Sequence, residues 1–266
     1  MAIGLRIKKG NLHGGFELIG RNEATTFRGL CSKHDTALFE RIDKGPLDPA
    51  DPEVSFLLGW RAVTQELHEN ISAASRLQSA YSAKVENGEL SGDVPSPLGN
   101  EATSWIITAY ATHLYREERW NPVFADKNYA RLRFKTFKLT RVEPVIAASG
   151  MFSIDEANRL GDRVRMTLNV WPDSEGDTIV QFGFARRDTG QAAKFIRSLT
   201  HKRDELCAEK FSTAILNHLQ NFVISPNAYE AWSDEKRGAI EKAFVGDGFG
   251  GGRVEAEPIL NLFEVT

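Results

Sequence analysis

The longest hydrophobic pattern in the chain has a helical period. Trp60, Val63, Leu67, Ile71, Ala74, Leu77, Tyr81 and Val85 recur at threes and fours, while Gln65, Glu66, Glu69, Arg76 and Lys84 fill the other faces. Pro52 suits a first helical turn, where its missing N–H has no partner to lose, and Asn87-Gly88 supplies a left-handed stop. The pattern predicts a helix over 52–86, on the order of 50 Å long, and makes it the spine of the fold. A second helix is predicted over 101–119, burying Trp105, Ile106, Ala109 and the neighbourhood of His113, and ending before Asn121-Pro122. A shorter one follows Ser32-Lys-His-Asp35, whose Ser and Asp fit a reciprocal capping box. Leu38 and Ile42 mark its apolar face and Gly45-Pro46 its end.

Past residue 122 the period falls to two. Arg131-Leu-Arg-Phe-Lys135 alternates, then the parity slips at Phe137 and Leu139, which predicts a β-bulge. Val145-Ile-Ala-Ala148 suits a short buried strand. Val164, Met166, Leu168 and Val170 alternate with Arg163, Arg165, Thr167 and Asn169, the pattern of a strand with one wet face. Ile179 to Ala185 returns as its antiparallel partner across a loop. Helices are predicted over 191–199 and 203–220, then a strand at Phe222-Val-Ile224, helical turns from Ser225-Pro226 to Phe244, a glycine-rich linker over 246–252 and a last strand over 259–265. The opening stretch, 5–27, reads as a loose hairpin or coil. Helices, then an antiparallel sheet, then helices give an α+β fold, a long helical spine packed with the sheet and C-terminal helices. It is read as one compact unit over 1–266, with a subdivision into a mainly helical 1–122 and a sheet-plus-helix 123–266.

Composition narrows the function classes. With 266 residues, 41% apolar and 26% charged, the chain can bury a core without a disulfide or metal staple. A formal net charge of −3 excludes whole-molecule attraction to nucleic acid or anionic lipid, so any such surface must be a local basic patch. Cys31 and Cys207 lie far apart, which fits a reducing compartment. No window approaches the ~20 apolar residues of a membrane span, and the first 15 residues hold no signal-peptide core. The expectation is a cytoplasmic protein with no membrane partner.

Three residue sets carry candidate chemistry. Cys31 and His34 have the C-x-x-H spacing of half a zinc site, with His13 the nearest third ligand; the competing reading is a cysteine packed as a small apolar residue beside a first-turn histidine. No cofactor is expected, zinc on these three being the one exception the residues admit. Arg131, Arg133 and Lys135 point one way on their strand, with Lys138 and Arg141 behind and Arg163 and Arg165 extending the patch onto a neighbour. Such a face pairs with phosphates, or is simply the wet side of a sheet. Arg61 and His68 share a face of the long helix at the spacing of HEPN-type ribonucleases, but the sheet segment does not suit that all-helical fold and a solvated helix face is the preferred reading. Gly246-Asp-Gly-Phe-Gly-Gly251 matches G-x-G-x-x-G in letters but follows a helix where the dinucleotide fingerprint needs a strand. Ser233-Asp-Glu-Lys236 reads as a helix cap, and Cys207 and His218 fall near an apolar stripe.

Thr26-Phe-Arg-Gly-Leu-Cys-Ser-Lys-His-Asp35, followed by Leu38-Phe39 and Ile42, resembles a motif of a family of uncharacterised bacterial proteins. Asn221-Phe-Val-Ile-Ser-Pro226 with Trp232 is similar to a second motif of that family. Many of its members carry an upstream Cys-x-x-Cys and a histidine before the Cys-x-x-His, an arrangement that resembles a treble-clef or HNH-like zinc finger; here the cysteine pair is missing. The resemblance implies a bacterial origin and a nucleic-acid or phage-defence context. Two functions follow: a binding protein whose partner is a protein or a nucleic acid, and a nuclease-like enzyme centred on Cys31, His34 and Asp35. Metal content of the purified protein separates them.

Overall fold

Asp51 starts the spine. Its carboxylate accepts from the Glu53 and Val54 amides at 2.8 and 3.3 Å, and Pro52 takes the first helical position. In the computed structural model the described residues are 2–8, 11–18, 29–139, 145–157, 161–201, 205–219, 222–248 and 260–264, with the side chains of 2–15, 155–157 and 244–248 outside the description. Helix α2 (Pro52–Glu86) runs the full predicted length and stops at Gly88, whose φ of 73° favours a residue without a Cβ. It is preceded by α1 (Ser32–Lys44) and followed by α3 (Pro97–Tyr115), a π-helical turn over Arg116–Trp120, and α4 (Asn121–Asp126). After the strands come α5 (Thr189–Ser198), α6 (Ala208–His218), α7 (Pro226–Ala231) and α8 (Asp234–Gly248).

The strands are β1 (Ala2–Lys8), β2 (Asn11–Glu17), β3 (Leu132–Leu139), β4 (Ile146–Ala157), β5 (Arg163–Pro172), β6 (Thr178–Ala185) and β7 (Phe222–Ile224). They form one antiparallel sheet in the order β2-β1-β7-β4-β5-β6-β3. Strands β1 and β2 thus make the opening 2–17 a hairpin, while 19–28 lie outside the described residues, and the boundary at 122 passes through a single sheet. The fold is α+β, with helices on both faces. One face packs under α5, α6, α7 and α8, where Phe182, Phe211, Ile215, Phe222, Ile240 and Leu262 are buried together. The other packs under α1, α2 and the π-helical turn through Phe39, Phe56, Trp60, Trp120, Leu132 and Met151.

Two covered faces correct several sequence expectations. The side of β5 expected to be wet holds Thr167 and Asn169 at 1% and 3% exposure, roofed by α2. A buried polar seam runs there: Gln181 donates to the Ser55 and Thr136 hydroxyls at 2.9 and 3.2 Å, and Ser149 donates to Asn169 at 2.8 Å. Paired inward, these groups read in sequence as a solvated face. The parity slip in β3 is no bulge, because its register with β6 runs unbroken from Leu132 opposite Ala185 to Leu139 opposite Thr178. Phe137 and Leu139 lie under the C-terminal helices, while Arg133 and Lys135 project past that cover. The irregularity lies in β4, between Ser153 and Ala157. Residues 260–264 form a turn instead of a strand, while 249–259 lie outside the described residues.

Gly59 lets α2 come down on the sheet. A Cβ there would meet Trp120 Cη2 at 2.5 Å and the Thr167 hydroxyl at 3.3 Å. Further along α2, burial raises the Glu66 carboxyl to about 7; Glu69 adds to this and the Asn70 side chain opposes it. The folded state then holds this proton more tightly than the unfolded chain does. The contribution of Glu66 to stability is therefore greatest at acid pH and falls as pH rises from about 4.5 to about 7, with no further loss above; the lowered carboxyls of Asp51, Glu117 and Asp173 act in the opposite sense, below that window. Glu66→Gln flattens that slope and raises stability at pH 8 by roughly 1–2 kcal/mol, a figure discounted for the part of the side chain still in water. Urea midpoints of both proteins at pH 5 and 8 check this; parallel pH profiles would refute it.

Candidate anion-binding cleft

Three chain segments meet at one end of the sheet. Leu132 pairs with Ala185, and Phe184 with Met166, so β3 and β5 begin where β6 ends. Arg131 closes a 3-10 turn, Tyr129–Arg131, just before β3, and Arg186–Asp188 form another just after β6. The π-helical turn comes against them. Its extra residue per turn swings Trp120 fully into the core and leaves Glu118 and Arg119 facing out. Lys127, with φ 54°, then reverses the chain toward Arg131.

Glu118, Arg119, Asn128, Ala130, Arg131, Ala185, Arg186 and Arg187 line the resulting open cleft of about 610 Å³. Most of its guanidinium groups are tethered. Arg119 lies 3.2 Å from Glu118, Arg131 3.1 Å from Asp126, and Arg187 2.8 Å from Asp162 and 3.6 Å from the buried Asp188. A carboxylate occupies at most two of the five N–H donors of a guanidinium, so each anchored arginine keeps donors for a ligand. Arg186 is exposed and makes no ion pair among the described residues. Arg165 adjoins this end, half-buried, its guanidinium 5.2 Å from the centre of the Tyr115 ring. Burial draws its pKa below the usual arginine value. Tyr115 donates to the Arg165 carbonyl at 3.2 Å, and burial pushes its phenol up to about 12.

The basic residues singled out from sequence do not form one surface. Arg131 lines the cleft. Arg133 stands opposite Phe184, which faces the C-terminal helices, whereas Arg163 and Arg165 alternate with Val164 and Met166 onto the α2 face. Lys135 lies farther along β3. That strand is an edge of the sheet, where exposed Arg133, Lys135 and Lys138 also discourage edge-to-edge pairing. Lys138 is held by Glu175, Asp177 and Asp173 at 2.7, 2.9 and 3.0 Å, and its hydrogen bonds to them raise its pKa, that to Glu175 most. Its ammonium thereby serves the three carboxylates that otherwise lie close enough to share a metal ion. Arg119, Arg186 and Arg187 escaped the sequence reading. The Arg186-Arg187 doublet directly after a buried strand was the available signal, but nothing in one dimension joins it to Arg119.

The Cys-x-x-His motif has a local geometry. Cys31, not Ser32, is the N-cap of α1: its carbonyl accepts from the Asp35 amide at 2.9 Å, and no side chain caps the turn. Its sulfur lies 3.1 Å from His34 Nδ1, a contact that the N-cap to N3 spacing brings about, and both residues are exposed. Among the described residues no third His, Cys, Asp or Glu joins them as a ligand group. His13 is on β2, opposite Arg6, with its side chain outside the description, as are Thr26, Phe27, Arg28 and Asn221 of the two motifs. Arg61 pairs with both Asp43 oxygens at 2.7 and 3.1 Å and lies 4.2 Å from the centre of the Phe39 ring, fastening α1 to α2. Ser233 accepts from the Lys236 amide at 3.1 Å, as a cap. Gly246 and Gly248 belong to α8. Cys207 is buried, and His218 stacks on Phe152 with ring centres 4.7 Å apart. Among the described residues no helix is long and apolar enough to cross a membrane.

Neither a family model, nor a curated protein, nor a solved structure matches the chain. What the cleft does must be read from its own side chains.

Proposed function

We propose that the protein is a binding protein that takes phosphate groups of single-stranded nucleic acid into the arginine cleft. The observation that carries this is the convergence of Arg119, Arg131, Arg186 and Arg187 from three separate segments on one cleft. Guanidinium forks match phosphate oxygens bidentately, and carboxylate tethers orient those of Arg119, Arg131 and Arg187 in advance. With pKa values far above neutrality they neither donate nor abstract protons readily, so this lining suits holding a phosphate better than cleaving its ester. A cleft of about 610 Å³ fits one nucleotide-sized group rather than a duplex.

Fluorescence anisotropy with labelled strands of about 20 nucleotides tests the proposal. Single-stranded DNA or RNA binds, duplex binds more weakly, and affinity falls about 10- to 20-fold between 50 and 200 mM salt if about three phosphates are neutralised. Inorganic pyrophosphate competes. Absence of binding at 50 mM salt, or binding indifferent to salt, would end this reading.

A further inference from the structure

Helix α3 is unusual for a helix at the surface. From Pro97 to Tyr115, Glu101 is its only Asp, Glu, Lys or Arg. It turns Ala102, Ala109 and Thr112 toward α2, where Asn70 donates to the Thr112 hydroxyl at 3.2 Å and Tyr81 closes over Gly99. The sequence pattern placed Ile106 and the region of His113 in that buried stripe; both are exposed. On the adjoining flank, Thr103, Ile107, Tyr110 and Leu114 follow one another by four, three and four residues, the spacing of a seam that inserts between the side chains of another helix. Nothing among the described residues covers it: Ile106, Ile107, Tyr110 and Leu114 are 46%, 62%, 62% and 38% exposed. Ser104, Thr108 and Ala111 beside the seam carry no charge.

We propose that this flank is the interface of a two-fold dimer, in which α3 of one copy packs antiparallel against α3 of a second copy. The absence of charge selects the occupant. In paired helices the charges flanking the seam choose the partner and repel the wrong one. Between Thr103 and Leu114 no Asp, Glu, Lys or Arg flanks the seam to oppose self-pairing or to recruit a charged foreign helix. His113 and Glu117, 4.0 Å apart at its C-terminal end, fall opposite Ser104 and Asn100 in an antiparallel pair and so do not meet their own counterparts. An apolar ridge is also complementary to itself, which an isologous contact requires. The exposed side chains present on the order of several hundred Å² of apolar surface per copy, which on pairing reaches the roughly 1,000 Å² of a specific interface. An axis between Ile107 and Tyr110 sets each against the other residue of the second copy. The interface is independent of the arginine cleft.

Sedimentation velocity of the full chain between about 5 and about 200 μM reads the outcome directly. The wild type shifts toward dimer across that range. Ile107→Glu stays monomeric, with an unchanged circular dichroism spectrum and, at low micromolar protein where the wild type is monomeric too, an unchanged unfolding midpoint, because the residue is exposed in the monomer. The double variant Ile107→Glu, Tyr110→Lys regains dimer, since each glutamate then faces a lysine of the second copy. A wild type that stays monomeric throughout overturns the second copy as occupant and leaves the ridge to a different protein. A dimer that survives Ile107→Glu, or a double variant that stays monomeric, overturns the antiparallel α3 pairing.

Discussion

Trp120→Ala lowers the unfolding free energy by about 3–5 kcal/mol, the cost of emptying a large aromatic site that cannot collapse. The indole is fully buried at the meeting point of the π-helical turn, α2 and the sheet, with Phe56 stacked 5.9 Å away between ring centres. It also fills the space over Gly59, so the two residues are matched in volume. Gly59→Val in the wild type is severely destabilising, because its new methyl groups have only the indole to enter. In the Trp120→Ala background the same substitution costs less, and the difference measures the coupling between the pair. Urea denaturation followed by circular dichroism of the four proteins gives all the terms. A loss below about 1 kcal/mol for Trp120→Ala would show that this contact does not seat α2 on the sheet.

The second large effect falls on binding with little effect on folding. Arg131→Glu with Arg186→Glu weakens single-strand binding at least about 100-fold, since two charge-assisted contacts of about 1.5–3 kcal/mol each are replaced by repulsion. Arg186 makes no ion pair among the described residues, and Arg131 has only the half-exposed Asp126, so the unfolding midpoint moves little. Lys135→Glu, farther along the β3 edge, changes affinity less than about threefold and serves as the control for net charge. The salt dependence flattens in the double variant alone. Equal losses from the control and the double variant would locate binding on the β3 edge instead of in the cleft.

What could be read from the chain, and what could not, divides along the range of the forces involved. The bounds of α2 were legible because its signals are local: a proline at 52, eight apolar residues in helical period, and a glycine at 88; the Asp51 cap, equally local, was not read. The β5–β6 hairpin and the short strand Phe222–Ile224 followed from local alternation in the same way. Errors arose where a residue's environment is supplied from far away. Thr167 and Asn169 look like a wet face until α2, about a hundred residues earlier, roofs them. Phe137 looks like a bulge until the C-terminal helices cover one end of β3 and leave the other bare.

The candidate sites show the same division. Cys31 and His34 were noticed because they lie three residues apart, and their contact is a helix-start geometry that the local sequence specifies. The arginine cleft was missed as a cleft. Arg131 was singled out with the wrong neighbours, and Arg119 and Arg186 are unremarkable where they stand in the chain; only strand pairing brings Arg131 beside Arg186, with the π-helical turn adding Arg119. The sequence by itself determined the α+β class, the spine and the main antiparallel hairpin, because periodicity and capping act within a few residues. The tertiary structure alone decided which faces are buried, where the polar seam lies, that α3 has an apolar flank with no cover among the described residues, and that scattered arginines share one cleft. Burial and charge depend on neighbours in space, and for these residues the neighbours are distant in sequence.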